Sequence, residues 1–470
     1  MRALLSHAKR EGDSVRKGLC LTIAPKGIRN SNAMTNFENP IYLISQRFLS
    51  QRFRLFALLR FDMSKPFEAT QITESVYRVG AVDWELRNFH GYETRRGSTY
   101  NAFLVKGTTG YILIDTVKKG FERELMSRIE SVCDPKEIVA IISNHAEMDH
   151  SGSLPYVLER ISPDAKVYAS VMGVKALAAH FGDTVKAVAV APSSRLEIAG
   201  RRFYFVETRM LHWPDSMWTF DETDRVLFSN DAFGMHLAGL PCWYDEYDPA
   251  ILEEESSKYF ANILMIYASV VAKLVETYPT LGIDPAVICP DHGPLWRGDG
   301  ISHILGRYAK WSNPIYRKNK AVVVFDTMWH STERMAHAIA EGLHKGNVET
   351  VVMPLSGSHR SDVAREMLDA KALIVGSPTL NQGMMPTVAD VLTYLKGLKF
   401  PIDLGTVFGS YGWAPLGAKA MQEFLTPMCK NMTNILTVQY VPTDDDIVKC
   451  REYGEELAHV LYNGCTWQCV

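Results

Sequence analysis

The chain of 470 residues is poor in features that would mark several large classes of protein. It has eight cysteines, at positions 20, 133, 242, 289, 429, 450, 465 and 469, and no C-x-x-C among them. That scatter argues against a disulfide framework, and against a rubredoxin-type iron site built from four cysteines of this chain. It fits reduced thiols in a cytoplasmic protein, with Cys465 and Cys469 read as part of a frayed tail. No apolar run approaches the roughly 18 residues of a membrane span, so none is expected. A net charge of −3 gives no field that would attract nucleic acid or a membrane surface.

What is there is ordinary globular composition, 47% hydrophobic and 22% charged, in a chain long enough for two to four domains. The biased stretch is the start. Residues 1–62 carry eleven Lys/Arg against four Asp/Glu, a surplus of seven that leaves −10 for the remainder of the −3 total. Glu11, Asp13 and Glu38 interrupt the basic run and no long apolar core follows, so a poorly ordered extension is expected rather than a leader. Met63-Ser-Lys-Pro66 offers a second natural start.

The stretch richest in chemistry is His145-Ala-Glu147-Met-Asp149-His150. It follows the apolar run Ile138-Val-Ala-Ile141, which reads as a buried strand, and precedes Ser151-Gly-Ser153, a break in the pattern. One His or Asp at a strand end is usually a cap or a surface group. Four potential ligands within six residues are not. Alternation along an extended loop places His145, Glu147 and Asp149 on one side and His150 on the other. One metal cannot easily take all four, whereas two metals a few ångströms apart can share them.

Three further ligand candidates follow predicted strands. His212 comes after Phe203 to Thr208, in the phrase Leu211-His-Trp-Pro-Asp-Ser216; Asp231 comes after Val226 to Asn230; His292 comes after Val287 to Asp291. Their positions converge on what reads as one sheet edge, where α/β sheets place their sites. Between the last two, Pro249 to Tyr278 reads as one long helix.

The polar, Pro-bearing segment Trp311 to Lys320 marks a domain boundary, giving an extension 1–62, a first domain 63–316 and a second domain 317–470. Strands and helices alternate from Ala321 to Pro427, the grammar of a parallel α/β sheet. Three strand-to-helix loops in this half form a second constellation. The first is Thr327-Met328-Trp329-His330-Ser331-Thr332, the second Ser377-Pro378-Thr379-Leu380-Asn381-Gln382-Gly383, and the third Ser410-Tyr411-Gly412-Trp413. Hydroxyls and free backbone N–H groups at a helix start can hold a phosphate monoester without Lys or Arg. Trp329, Tyr411 and Trp413 offer flat faces to a ring system, and all three loops fall where a flavodoxin-like sheet binds FMN.

Together these motifs resemble the flavodiiron proteins (A-type flavoproteins), over about residues 67 to 465. The phrases Leu211 to Met217, Phe228 to Gly234 and Asn88-Phe-His-Gly-Tyr92 carry the likeness alongside the ligand loop. The resemblance implies an α/β protein: an N-terminal metallo-β-lactamase-like αββα sandwich and a C-terminal flavodoxin-like doubly wound parallel sheet. It assigns one iron to His145, Glu147 and His212, the other to Asp149, His150 and His292, and makes Asp231 the bridge, with His90 just outside the ligand set. The zinc hydrolases of this fold carry a His where this chain has Glu147, and the added carboxylate favours iron over zinc. After Trp413 the family continues with a small residue and glycines. Here stands Ala414-Pro-Leu416, which is expected to alter hydrogen bonding near the isoalloxazine.

The activity implied is reduction of O2 to water, of NO to N2O, or both, at two irons re-reduced by FMN. No rubredoxin or flavin-reductase module follows the second domain, so a separate donor is expected, rubredoxin or a deazaflavin-type cofactor. A head-to-tail homodimer, or a dimer of dimers, is implied as well. Two alternatives stand beside this reading: a zinc hydrolase bearing a flavodoxin-like domain, opposed by Glu147, and a non-catalytic gas or redox sensor, opposed by the complete set of loops.

Overall fold

The computed structural model describes residues 67–463; the expectations for the basic extension, Met63, Cys20, Cys465 and Cys469 lie outside them. Seven strands form the first sheet, in the order Thr70–Gln71, Val76–Arg78, Phe103–Lys106, Tyr111–Ile114, Ile138–Ser143, Lys166–Ala169, Ala187–Ala189. A second sheet of six runs Arg195–Ile198, Arg201–Glu207, Met217–Asp221, Val226–Asn230, Val287–Pro290, Trp296–Arg297.

Side-chain alternation explains how the sheets stack. Phe103, Val105, Ile112, Ile114, Ala140 and Ile142 of the first sheet share one core with Phe203, Phe205, Met217, Val226, Phe228 and Val287 of the second. Their neighbours Leu104, Leu113 and Ile141 face the other way, into a core with the helices Glu122–Glu130, Leu154–Leu158 and Val171–Phe181. A strand buried on both faces needs a continuous apolar run, and Ile138–Ser143 supplies one from Ile138 to Ile142. Each fully buried Phe or Ile adds roughly 1.5–3 kcal/mol. The result is the αββα sandwich.

The third sheet is parallel throughout, in the order Glu349–Pro354, Lys320–Phe325, Ala372–Gly376, Ile402–Tyr411, with Cys429–Met432 and Leu436–Gln439 both pairing with Ile402–Tyr411. This is the doubly wound flavodoxin order. Helices Ser331–Lys345 and Asp444–Asn463 cover one face, through Met335, Ile339, Leu343 and Leu457. On the other face Val363, Met367, Val388, Leu392 and Met421 join a core that continues into the sandwich through Tyr259, Phe260 and Leu264. The last two strands, Cys429–Met432 and Leu436–Gln439, are only four residues each, and they and the final helix Asp444–Asn463 were not read from the sequence.

The expected single helix from Pro249 to Tyr278 is broken. It runs as α-helix Pro249–Tyr259, a π turn Phe260–Leu264, a 3-10 turn Met265–Tyr267 and α-helix Ala268–Thr277. Tyr259 and Asn262 would lie on neighbouring faces of an unbroken helix. Here they serve different partners, Tyr259 reaching Asp231 and Asn262 reaching Ser361, and the wider turn separates them. By length and composition alone Pro249–Thr280 could cross a membrane, an 18-residue window of it having a mean hydropathy of 1.4. Yet Tyr259, Phe260, Ala261 and Leu264 of this stretch are buried in the core.

Candidate metal centre and flavin-binding loops

The ligand loop starts from a fixed point. Asn144, at the end of strand Ile138–Ser143, donates its backbone N–H and its amide to the two oxygens of Asp115 at 2.7 and 2.8 Å, and accepts from Thr219 Oγ1 at 2.6 Å. The chain then departs from the extended loop expected of it, because Met148–Ser151 closes a helical turn. That turn carries Asp149 and His150 away from His145 and Glu147 instead of alternating them. The ligand candidates also come from two sheets rather than one edge. The loop leaves the seven-stranded sheet, while His212, Asp231 and His292 follow Arg201–Glu207, Val226–Asn230 and Val287–Pro290 of the six-stranded one.

All seven residues meet, in two groups: His145, Glu147, His212 and Asp231, then Asp149, His150 and His292. In the first, His212 Nε2 lies 3.0 Å from Glu147 Oε2 and 3.2 Å from Asp231 Oδ2, and His145 Nε2 lies 3.3 and 3.5 Å from the same two oxygens. In the second, His150 Nε2 is 3.3 Å from Asp149 Oδ1 and His292 Nε2 is 3.3 Å from Asp149 Oδ2. Asp231 Oδ1 faces this second group, 3.2 Å from His150 and 3.4 Å from His292. One carboxylate therefore presents one oxygen to each group. His90 stands at the rim, 77% exposed, its Nε2 3.7 Å from Glu147 Oε1.

A surrounding layer aims the rings, and the sequence reading missed it. Asp215 Oδ2 lies 3.0 Å from His145 Nδ1, His292 Nδ1 lies 2.6 Å from the Thr99 carbonyl, and Asp291 Oδ2 is 3.5 Å from His150 Nδ1. In each ring the partner outside leaves Nε2 pointing inward, the arrangement by which proteins orient metal-binding imidazoles. Tyr259 donates its hydroxyl to Asp231 Oδ1 at 3.0 Å. Asp215 and Asp291 sat within the ligand phrases, the one signal that could have found them.

The donor set fits a pair of hard cations. Both oxygens of Asp149, Nε2 of His150 and Asp231 Oδ2 are buried without a hydrogen-bond partner among the described residues, an expensive arrangement unless something positive lies between them. With protons alone the first group charges His145 and His212. Burial would lower His145, but hydrogen bonds to Asp215 and Glu147 raise it to about 10; burial is likewise outweighed at His212, which Asp231 and Glu147 hold at about 9. Three carboxylates and four imidazole nitrogens are a set that iron accepts and that cation binding would strip of those protons.

In the flavin half the three loops lace together at the carboxyl ends of their strands. Thr379 donates its N–H to the Ser410 carbonyl at 2.9 Å, Thr332 Oγ1 is 3.3 Å from Ser410 Oγ, and Gly417 donates to Thr379 Oγ1 at 3.1 Å. Leu380 and Gly383 exchange backbone hydrogen bonds of 2.9 Å around Asn381 and Gln382, both left-handed. Thr327 Oγ1 is buried with no partner, beside the start of helix Ser331–Lys345. Such a hydroxyl fits a phosphate held on that helix start. Trp329 and Trp413 are 87% and 89% exposed, so neither is a core aromatic.

Residues 99–293 match the family model described as ODP family beta lactamase, and residues 323–454 match the flavodoxin model. The chain is 38% identical over 401 residues to the nitric oxide reductase of Moorella thermoacetica, covering 84% of this chain and 99% of that protein. It is 39% identical over 400 residues to the rubredoxin-oxygen oxidoreductase of Megalodesulfovibrio gigas, covering 84% and 98%. Among solved structures, the flavodiiron protein from Giardia intestinalis superimposes with a TM-score of 0.80 at 32% identity, covering 84% of this chain and 97% of that one. The chain belongs to the flavodiiron proteins, oxidoreductases that join a metallo-β-lactamase-like domain with a diiron site to a flavodoxin-like domain for FMN.

Proposed function

We propose that this chain reduces O2 to water, NO to N2O, or both, at a diiron centre fed by FMN. The observation that carries the reading is Asp231, with one carboxylate oxygen toward each of two ligand groups. His145, Glu147 and His212 would hold one iron, Asp149, His150 and His292 the other, and Asp231 would lie between them. When bound, the irons and FMN supply electrons and open coordination positions for a diatomic gas.

The chain's own residues do the rest. Asp215 and the Thr99 carbonyl keep the His145 and His292 rings in one tautomer and orientation, and Asp291 faces His150 Nδ1 at 3.5 Å. Tyr259 fixes the oxygen of Asp231 to which it donates. The buried walls exclude bulk water, which preserves the strength of these polar contacts. In the second half, Thr327, Ser331 and Thr332 with the helix-start N–H groups would hold the FMN phosphate, and the 377–383 and 410–413 loops its ring. The junction between the two halves falls at residues 316 and 317. A separate donor would supply the electrons, rubredoxin or another such as a deazaflavin-type cofactor; the name of the Megalodesulfovibrio relative supports rubredoxin.

The test is metal and flavin analysis of the full chain purified without oxygen, followed by gas consumption with reduced rubredoxin. About two irons and one FMN per chain are expected. Asp231→Ala should abolish consumption of both gases and leave FMN bound. Zinc in place of iron, or a preparation free of flavin, would overturn the reading.

A further inference from the structure

Among the described residues, the hairpin Asn88–Phe89/Tyr92–Glu93 is a two-stranded sheet joined to no larger one. Isolated hairpins of this size are at best marginally stable, yet this one roofs the metal centre. The Phe89 ring lies 4.8 Å from His236 and 6.5 Å from His292, and His90 reaches the rim beside Glu147. Within the turn, the one side-chain contact to the backbone is from Gly91 N–H to Asn88 Oδ1, at 3.0 Å.

Tyr92 packs 5.2 Å from His236 within the first half, but the hydrogen bonds that tie the hairpin down come from the flavin half, at the start of helix Arg360–Met367. Arg360 Nε donates to the Gly91 carbonyl at 3.1 Å, Glu93 N–H donates to Ser361 Oγ at 3.2 Å, and Arg95 binds Asp362 Oδ2 at 2.6 Å. Arg360 is itself tied back by Asp390 at 2.6 Å. The approach is close: a Cβ at Gly91, whose φ is +92°, would come within 2.7 Å of the Arg360 guanidinium. The same helix start also grips the segment bearing Tyr259. Asp362 Oδ1 pairs with the buried Lys258 at 2.7 Å, and the Ser361 carbonyl accepts from Asn262 at 3.1 Å.

We propose that Arg360, Ser361 and Asp362 are positioning residues for the metal centre. Within one chain the flavin half thus holds down the roof over its own metal site, a task separate from carrying electrons. The inference rests on the diiron reading above and extends it to residues that touch neither cofactor.

The experiment compares the holoprotein with Arg360→Ala and Ser361→Ala variants. Its readouts are iron and FMN content, the rate at which a chelator extracts iron, and the electron paramagnetic resonance of the half-reduced iron pair. With FMN content unchanged, each variant should lose iron about fivefold faster, the effect of one lost hydrogen bond on a local opening, and should show an altered resonance. Arg360→Lys keeps one donor for the Gly91 carbonyl and should restore most of the protection. Parent-like extraction rates and resonance in folded, FMN-replete variants would overturn the proposal, even if thermal stability fell. A parent chain that binds no iron would instead sink the diiron reading itself.

Discussion

Asp215 takes two donors on one oxygen, His145 Nδ1 at 3.0 Å and the Ala146 N–H at 2.7 Å, and so fixes both a ligand ring and the loop that bears it. Burial alone would raise its pKa, but the His145 hydrogen bond and charge hold it below the usual carboxylate range, so it is a charged partner. Asp215→Ala should weaken iron binding about 10- to 100-fold, read by chelator competition, with FMN affinity unchanged. The seven residues that meet were legible in the sequence because four of them crowd into six positions and the other three follow strands. Asp215 was visible there only as a turn residue after Pro214. Tyr259 sits at helical spacing among apolar neighbours, which says core and nothing of Asp231. The carbonyl of Thr99 has no side-chain signature at all.

At the scale of elements, periodicity sufficed where strands were apolar and long. It failed where tertiary partners override local preference, as in the helical turn Met148–Ser151 and the π turn Phe260–Leu264. The first strand of the flavin half shows what such partners contribute. Lys320, at its start, is buried and bonds Glu366 at 2.8 Å and Asp369 at 2.7 Å. Burial would raise the Asp369 pKa, but Lys320 and Lys318 lower it on balance. A carboxylate depressed in the folded state stabilises above its unfolded value of about 3.9, and that stability is lost as pH falls through the folded value. Asp369→Asn should therefore cost about 1 kcal/mol near neutrality. The gap to the parent should close as thermal unfolding is followed to about pH 3.

For the molecule as a whole, the exposed Trp329 and Trp413 stand at loops proposed for FMN, as surfaces that a second copy would cover. If FMN of one copy serves the metal centre of another in a head-to-tail homodimer, turnover per chain should fall on dilution, in step with dissociation followed by sedimentation. A constant rate across that dissociation would exclude the arrangement. The wide spacing of the ligands along the chain also sets an order of manufacture. His145 to His292 straddle both sheets of the sandwich, so no ribosome-bound fragment that stops short of residue 292 holds a complete set. The hairpin over the centre waits longer still, for Arg360 to Asp362 to emerge and fold. Iron acquired during synthesis would meet an open site, and closure belongs to the part of the protein made last.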